Sequence, residues 1–379
     1  METDRAFWLA WSQIPGIGPV ILQRLLAQFG SLSAAWVASG EQLQMVSGIG
    51  GRTLTTILSQ RQAIHPEQFL AEHQHQNFWV PSDREYPRLL LEIGDPPPVL
   101  YYYGQVSVAE NQGATPTVAI VGTRDPSEYA KRWTRKIAYA LAKNGFTVVS
   151  GMAEGIDTQA HIGCIEAGGR TVAVLGTGVD TPYPQRNQKL HQRIAEQGLV
   201  VSEYPAGTQP HRSHFPKRNR IIAALSRATL VMEAPSKSGA LITAYQANEY
   251  GRDVYVLPNS LDNIRAVGCL GLLQRGAQAI LGIGNLLNML GAMPTLEVEK
   301  GIETAPAQAA LASPALTPVQ ESLVVALKEL VQGTGEVGIP FDLIVEKMHI
   351  PTGELSSTLL QLELLGVVVQ HPGMRYSLG

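Results

Sequence analysis

The sequence contains few cysteines and few charged side chains. Cys164 and Cys269 are the only cysteines among 379 residues, and charged residues make up 16% of the chain. Two cysteines cannot form a disulfide framework, and neither lies in the spacing of a metal-binding motif. This cysteine usage is typical of a reducing compartment, so we expect a cytoplasmic protein that holds no metal.

Long apolar segments are also missing. No run approaches the ~20 apolar residues that span a bilayer, and the N-terminal residues lack the basic and apolar regions of a signal peptide. We therefore expect no contact with a membrane. Hydrophobic residues nevertheless make up 45% of the chain, which is enough for packed cores, and its length predicts two or three domains.

The balance of charges excludes a uniformly basic, histone-like binder. The chain has 29 basic and 32 acidic side chains, a formal net charge of -3. Residues 1–290 hold 25 basic and 22 acidic side chains, whereas residues 291–379 hold 4 basic and 10 acidic ones. Because local positive charge attracts a polyanion, only the first part is suited to a nucleic acid.

The first 65 residues consist of short helical patterns separated by glycines. Gly16 and Gly18, and again Gly48 and Gly50, stand between apolar residues at helical spacing. This repeat predicts a helix-hairpin-helix domain over residues 1–65, in which glycine lets the backbone N–H groups of the turn face a phosphate. A small helical packing domain explains the same pattern, and the sequence leaves both interpretations open.

The middle and the end of the chain follow different patterns. In residues 66–290, six apolar, β-branched runs alternate with helical segments such as 129–143 and 238–250. This alternation predicts an α/β domain with an extended, Rossmann-like, doubly wound parallel sheet. Residues 291–316 are predicted to be a linker, and residues 317–379 have the three helices and the hairpin of a winged helix.

Ligands of a doubly wound sheet bind beyond the carboxyl ends of its strands. The segments that follow the predicted strands are small, polar and rich in glycine, and such residues let backbone N–H groups approach phosphate oxygens. Arg124 replaces a glycine of the dinucleotide fingerprint, and the Walker A glycines before Lys237 are missing, so the sequence predicts no cofactor and no phosphate hydrolysis. Three of these segments are Gly122-Thr123-Arg124, Ser150-Gly151-Met152 and Ser238-Gly239.

Residues 204–232 carry the strongest charge signal. The stretch contains no aspartate or glutamate, and Phe215 stands among its cations. Cations follow a nucleic-acid backbone and an aromatic ring stacks on a base, so the stretch indicates a site for single-stranded nucleic acid. A solvated loop is the alternative, and one arginine is expected to tether the loop of Glu203 or Glu233. The cations are Arg212, Lys217, Arg218, Arg220 and Arg227.

Asp157 and His161 stand four residues apart at a predicted helix start. Side chains at this spacing meet on one helix face, so the two residues form either an acid/base pair or a hydrogen-bonded cap contact. We favour the cap contact, and the sequence predicts no catalytic residue.

Together these motifs resemble those of the DprA/Smf family of bacterial DNA-processing proteins. The resemblance covers roughly residues 80–285, and the flanking modules agree in kind. The matching segments are Asp95-Pro96-Pro97, Ala119-Ile120-Val121-Gly122-Thr123-Arg124, residues 148–157 with Ala160-His161, residues 173–176 with Tyr183-Pro184, Ser202-Glu203-Tyr204-Pro205, residues 215–222, Glu233-Ala234 and residues 238–244.

The resemblance implies an extended Rossmann fold that binds single-stranded DNA and forms a homodimer. It further implies that the protein protects incoming DNA and loads the recombinase RecA during natural transformation. The implied DNA site consists of Gly122, Thr123, Arg124, Ser150, Gly151, Met152, Phe215, Lys217, Arg218, Asn219, Arg220, Ser238 and Gly239.

Three residues depart from the family pattern. Glu154 stands where the family usually has arginine, Asn259 follows Pro258 in place of a glycine, and Leu270 replaces an expected asparagine. A carboxylate at position 154 weakens the positive field beside the implied site. The other two departures leave the partner contacts of that region open.

Two other functions fit parts of the sequence. An enzyme of the lysine-decarboxylase-like Rossmann fold would cleave nucleoside monophosphates, but residues 234–239 stand in place of its Pro-Gly-Gly-x-Gly-Thr signature. A regulator would bind duplex DNA through the winged helix, but residues 317–379 carry 3 basic and 7 acidic side chains, and their predicted recognition helix, 352–365, has no cation. The sequence therefore favours a non-enzymatic binder of single-stranded DNA.

Overall fold

The computed structural model describes residues 2–291, 318–334, 338–348, 350, 352–364, 367–371 and 375–378. The chain separates into two compact units, Met1–Glu299 and Lys300–Gly379. Apart from Gly291, the predicted linker 291–316 lies outside the described residues, as does the predicted hairpin turn Pro372-Gly373. The domain boundaries drawn at residues 65 and 290 stay predictions.

The first unit begins with six short helices. Glycines with positive φ, Gly16 at 87° and Gly48 at 96°, form the two predicted hairpin turns. Pro19 opens the helix after the first turn, and a capping box between Ser39 and Gln42 opens another. The helices are α1 (Glu2–Ser12), α2 (Pro19–Phe29), α3 (Leu32–Val37), α4 (Gly40–Gln44), α5 (Gly51–Ala63) and α6 (Pro66–Glu72). The helix-hairpin-helix prediction is confirmed.

A nine-stranded sheet follows, in the spatial order β1-β2-β6-β5-β4-β3-β7-β8-β9. β2 pairs antiparallel with both of its neighbours, β1 and β6, and the strands from β3 to β9 run parallel to one another. The strands are β1 (Phe78–Trp79), β2 (Leu100–Gly104), β3 (Thr117–Val121), β4 (Thr147–Ser150), β5 (Thr171–Leu175), β6 (Leu199–Ser202), β7 (Ala228–Val231), β8 (Asp253–Val256) and β9 (Gln278–Ala279). The six predicted strands are β3 to β8.

Helices cover both faces of this sheet. They are α7 (Arg88–Leu91), α8 (Val108–Asn111), α9 (Glu128–Lys143), α10 (Ile156–Glu166), α11 (Gln188–Gln197), α12 (His214–Ala224), α13 (Gly239–Glu249), α14 (Val267–Gln274) and α15 (Ile283–Gly291). Ile120 of β3 packs in one core with Ile137 of α9, while its neighbour Val121 packs in another core with Ile222 of α12. Because successive strand residues point to opposite faces, both layers are buried, and the doubly wound fold is confirmed.

The second unit is a winged helix, as predicted. Its helices are α16 (Pro318–Thr334), α17 (Phe341–Met348) and α18 (Thr352–Leu364), and its strands are β10 (Ile339–Pro340), β11 (Val368–His371) and β12 (Arg375–Leu378). The strands form an antiparallel sheet in the order β10-β12-β11. Leu323, Ile344, Leu359 and Val368 join the three helices and the sheet in one apolar core.

Candidate nucleic-acid interface

The winding of the sheet reverses between β3 and β7. These strands are parallel neighbours, but the chain continues from β3 through β4, β5 and β6 on one side and from β7 to β8 and β9 on the other. The loops beyond their carboxyl ends therefore diverge and leave a crevice, which is where doubly wound proteins bind ligands. A cavity of about 580 Å³ lies there.

Glycine is required at the floor of this cavity. The N–H of Thr123 donates to the carbonyl of Glu233 at 2.7 Å and ties the loop after β3 to the loop after β7. A Cβ on Gly122 would lie 2.5 Å from the side chain of Ile156 and 2.9 Å from that carbonyl oxygen. The close approach of the two loops therefore excludes a side chain at position 122.

Three arginines and one aspartate give the cavity wall an excess of two positive charges. The arginines come from three places in the chain: the loop after β3, the segment before α12, and α12 itself. The residues that line the cavity are Val121, Gly122, Thr123, Arg124, Ala153, Asp157, Tyr183, Arg212, Phe215, Pro216, Arg218, Asn219, Ile222, Pro235, Ser238, Gly239, Ala240, Ile242 and Thr243.

An aromatic and cationic platform stands in this wall. The rings of Phe215 and Tyr183 stack with their centroids 5.3 Å apart and an interplanar angle of 30°. The guanidinium carbon of Arg124 lies 5.7 Å from the centroid of Phe215. Arg124 is exposed. The ring of Phe215 packs directly against Gly176, where a Cβ would come within 2.9 Å of it. The platform offers a planar apolar surface beside a positive charge, the combination that binds a base and its phosphate.

Arg218 is the buried arginine of this wall. It is only 5% exposed, and its Nη1 donates to the carbonyls of Gly151, at 2.7 Å, and of Val174. Burial lowers the pKa of Arg218 to about 10, while the nearby Asp157 acts in the opposite direction. The guanidinium therefore stays charged at neutral pH and places a fixed positive charge in the cavity wall. A Cβ on Gly151 would lie 2.7 Å from this guanidinium, so a side chain at position 151 would displace Arg218.

The structure places Arg220 away from the cavity. Its Nε lies 3.1 Å from Asp95 and its Nη2 lies 2.5 Å from Glu203, and its side chain is 8% exposed. The sequence included Arg220 in the DNA site, but both carboxylates face the buried side of α12 and occupy the guanidinium. Arg220 is therefore the expected tether of the Glu203 loop rather than a wall residue.

The segment Ser150-Gly151-Met152 contributes backbone rather than side chains. Ser150 is fully buried and donates its hydroxyl to the carbonyl of Ile120 at 2.6 Å. Met152 is also fully buried, in the core shared with the N-terminal helices, and has a left-handed φ of 56°. Neither side chain lines the cavity, so a contact of Ser150 or Met152 with DNA, which stays a prediction, would have to use the backbone.

The remaining predicted residues lie at the rim. The side-chain amide of Asn219 donates to the carbonyl of Gly239 at 3.2 Å, and Ser238 caps α13 by accepting from the N–H of Ala240. Lys217 is exposed on α12 outside the cavity wall. The structure thus brings together eight of the predicted residues: Gly122, Thr123, Arg124, Phe215, Arg218, Asn219, Ser238 and Gly239.

Sequence reasoning did not place Tyr183 and Arg212 in the site. Tyr183 follows β5 and is 40% exposed, and Arg212 precedes α12. Arg212 belongs to the basic stretch, so its charge was a usable signal. Tyr183 lies beyond the carboxyl end of a predicted strand, and that position alone pointed to the ligand side of the sheet.

The candidate acid/base residues are engaged elsewhere. The Nδ1 of His161 pairs with the hydroxyl of Thr171 at 2.8 Å, whereas Asp157 accepts from the N–H of Ala153 at 3.3 Å. Asp157 and His161 thus use different partners, which differs from the contact expected between them. Burial, assisted by the charge of Arg218, lowers the pKa of His161 to about 3, so this fully buried imidazole is neutral.

Glu233 is also fully engaged. Its carboxylate accepts from the N–H and the hydroxyl of Ser127, both at 2.7 Å, and from the amides of Asn263 at 2.8 Å and Asn259 at 3.4 Å. The side chain is fully buried, so it joins loops and does not face the cavity. Among the residues that the structure describes, no group of three or more His, Cys, Asp or Glu side chains could hold a metal ion.

Comparisons with known proteins agree with this geometry. The family model for DNA recombination-mediator protein A matches residues 77–291, the DprA winged helix domain matches residues 306–374, and a SAM-like helix-hairpin-helix tandem matches residues 11–63. Protein Smf of Synechocystis is 49% identical over 393 aligned residues, which cover 99% of both chains. This chain belongs to the DprA/Smf family.

Solved structures of DprA share its fold. DprA from Streptococcus pneumoniae has a TM-score of 0.65 and 35% identity, covering 74% of this chain and 95% of that one. DprA from Helicobacter pylori has a TM-score of 0.51 and 35% identity, covering 57% of this chain and 96% of that one, and its structure describes how that protein binds single-stranded DNA. Protein Smf of Escherichia coli is 33% identical over 90% of this chain and 89% of its own length.

The departures from the DprA pattern have visible neighbours. Glu154 forms an ion pair with Arg186, whose side chain is 70% exposed, beside a small cavity of about 80 Å³ that Arg124 and Phe215 also line. Asn259 helps to hold Glu233, as described above. Leu270 is half-buried on α14, and nothing else in the structure accounts for its presence.

Proposed function

We propose that this chain binds single-stranded DNA in the cavity between the loops after β3 and β7. The observation that carries this proposal is the stack of Arg124, Phe215 and Tyr183 in a wall with an excess of two positive charges. Stacking on an aromatic ring requires an exposed base, and duplex DNA keeps its bases inside the helix. The single-stranded DNA binding described for the Helicobacter pylori relative supports the proposal.

The wider role follows from the family. As a member of the recombination mediators, the chain acts in our proposal as a homodimer that protects incoming single strands and loads RecA on them during natural transformation. This work takes place on DNA inside the cell, so we assign the protein to the cytoplasm. Among the described residues, no helix is long and apolar enough to cross a membrane.

We also propose that the protein is not an enzyme. The alternative, cleavage of nucleoside monophosphates, needs an accessible acid or base near the cavity. His161 is buried and neutral, and the carboxylate of Glu233 is occupied by four hydrogen bonds. Asp157 lines the cavity but is only 6% exposed and accepts from the N–H of Ala153. Incubating the purified protein with nucleoside monophosphates tests this, and release of free base that Glu233→Ala abolishes would favour the enzyme.

Fluorescence anisotropy with labelled single-stranded and duplex DNA at two salt concentrations tests the binding. We expect a preference for the single strand and a salt slope of about -0.7 per phosphate contacted. Arg124→Ala and Lys217→Ala should each weaken binding about 10- to 100-fold, since charge-assisted contacts contribute roughly 1.5–3 kcal/mol. Arg132→Ala, on α9 outside the cavity wall, is the matched control and should bind normally.

Equal affinity for duplex DNA, or an affinity that does not change with salt, would contradict the proposed site. For the wider role, RecA assembly on single strands is followed by fluorescence in the presence and absence of the protein. We expect faster assembly with the wild type and a smaller acceleration with Arg124→Ala. An unchanged rate with the wild type would remove RecA loading from the proposal and leave DNA binding in place.

A further inference from the structure

A second cavity, of about 480 Å³, opens beside the first on the same edge of the sheet. Its wall comes from the segment just before β1, from β2, from α11, and from the loops beyond the carboxyl ends of β5 and β6. Its lining includes Tyr103, Asp180, Pro182, Gln188, His191 and Gln192.

The two cavities meet at one peptide unit. Pro182 lines the second cavity, and the next residue, Tyr183, lines the first. Consecutive Cα atoms are about 3.8 Å apart, so the cavities lie on either side of a single short segment of chain. A polymer that stacks on Tyr183 and Phe215 in the first cavity is thereby led towards the second.

The second wall contains another aromatic platform. The ring of Tyr103 is nearly parallel to that of His191, with centroids 6.1 Å apart and an interplanar angle of 15°, and Tyr103 is 51% exposed. Nε2 of His191 donates to the carbonyl of Val179 at 2.7 Å, because a carbonyl can only accept. Burial lowers the pKa of His191, so the imidazole under Tyr103 is neutral and held in one orientation.

The polar groups of this wall suit a base rather than a phosphate. The exposed amides of Gln188 and Gln192 offer paired donors and acceptors, as a base edge requires. None of the described residues that line the cavity is lysine or arginine, and its carboxylate, Asp180, accepts from the N–H of Gly207 at 2.8 Å. A phosphate would meet a negative charge there, whereas a neutral planar group would not.

Cations stand next to the wall rather than in it. Arg186, which is 70% exposed although it pairs with Glu154, and Lys189 both stand in the segment that runs from Tyr183 to Gln192. They alternate along the chain with residues that line the two cavities. This arrangement suits a strand whose phosphates stay at the surface while its bases turn into the cavities.

We propose that the second cavity is a nucleobase subsite for the same single strand, in which a base stacks on Tyr103 and bonds to the amides of α11. The inference rests on the proposed function, because it needs a strand in the first cavity. It extends the DNA path past the switch point to the antiparallel edge of the sheet.

The test combines a change in the protein with a change in the DNA. Single strands long enough to reach both cavities carry one abasic nucleotide, moved along the strand, so that one base is lost while every phosphate remains. Tyr103→Ala should bind the intact strand about fivefold or more weakly, because stacking on an aromatic ring is lost. At one abasic position the wild type should lose affinity and Tyr103→Ala should lose none.

Two further variants complete the design. Tyr103→Phe keeps the ring and should restore wild-type affinity. Tyr139→Ala makes the same change at a tyrosine of α9 that is 44% exposed and lines neither cavity, and it should bind like the wild type.

The outcomes separate this inference from the proposed function. If Tyr103→Ala binds the intact strand as well as the wild type, or loses as much affinity as the wild type at every abasic position, the subsite is wrong. The first cavity then still stands, provided that Arg124→Ala weakens binding. If the wild type binds no single strand at all, the proposed function itself fails.

Discussion

Replacing Arg220 with methionine separates a structural role of the basic helix α12 from a role in binding. Arg220 is enclosed by Asp95 and Glu203, with a side chain that is 8% exposed, and it does not line the DNA cavity. Methionine fills a similar volume without the charge. We therefore expect the variant to lose stability while its folded molecules bind single-stranded DNA as the wild type does.

The size of the loss follows from the burial of the three partners. Removing one member of a buried ion pair costs roughly 3–5 kcal/mol, because the remaining charge is left buried without a partner. The side chain of Glu203 is 17% exposed, but that of Asp95 is 34% exposed and regains water easily. The free energy of unfolding should accordingly fall by about 3 kcal/mol, the lower end of this range.

The loss should depend on pH in a defined direction. Burial raises the pKa of Glu203, and the charge of Arg220 and its hydrogen bond oppose that rise. Without Arg220 the folded-state pKa rises further, so ionised Glu203 destabilises the variant at high pH. As the pH falls from that raised pKa towards the lower folded-state pKa of the wild type, the carboxyl becomes protonated in the folded variant and the loss shrinks. The deficit should be larger at about pH 8 than at about pH 5.

Urea unfolding followed by tryptophan fluorescence measures this deficit in the first unit alone, because all five tryptophans lie there. They are Trp8, Trp11, Trp36, Trp79 and Trp133. Lys217→Met is the matched control, since Lys217 is exposed on the same helix. It should change stability by less than about 0.5 kcal/mol and weaken DNA binding. A pH-independent deficit, or normal stability with lost DNA binding in Arg220→Met, would refute the assignment.

Three further changes test other parts of the site. Gly122→Ala should destabilise the fold by about 1–3 kcal/mol and abolish DNA binding, because its Cβ would lie 2.5 Å from the side chain of Ile156. The control Gly271→Ala, which has open space around its Cβ, should fold normally in the same urea assay. Glu154→Gln should raise single-strand affinity a few-fold in anisotropy titrations, because it removes a negative charge and releases Arg186 from its ion pair. Unchanged affinity would show that this ion pair lies off the DNA path. Deleting residues 292–379 should leave single-strand affinity within a few-fold of that of the full chain. Residues 317–379 carry 3 basic and 7 acidic side chains, and this excess of acid repels a phosphate backbone. Loss of binding on deletion would contradict this.

The sheet was predictable where its strands leave long patterns. Strands β3 to β7 consist entirely of buried residues, and continuous apolar runs of that kind are typical of parallel strands that are covered on both faces. The edge strands β1 and β9 contain two residues each, too few for a periodicity, and only their pairing with β2 and β8 defines them. The tyrosines of β2 show the same limit, because Tyr101 is buried whereas Tyr103, two residues later, is exposed in the second cavity.

The position of the site was predictable from topology, but the role of each arginine was not. Arg218 and Arg220 are two residues apart in one basic stretch, and the sequence alone predicts the same role in DNA binding for both. Arg218 meets only carbonyl oxygens and one nearby aspartate, whereas Arg220 meets two carboxylates. Those partners are distant along the chain, and local pattern cannot place them.

This difference in partners decides where the positive field of the protein lies. The carboxylates around Arg220 cancel its charge, so it adds little attraction for DNA. The carbonyls of Gly151 and Val174 accept from Arg218 without cancelling its charge, only Asp157 opposes that charge nearby, and burial keeps water from screening it. Together with Arg124, which comes from a different loop, this fixed charge attracts phosphate to the cavity, while Phe215 and Tyr183 are left to hold a base. A count of the cations in residues 204–232 therefore overestimates the positive charge that this stretch brings to the cavity, because it includes Arg220. It also omits Arg124, which the loop after β3 contributes.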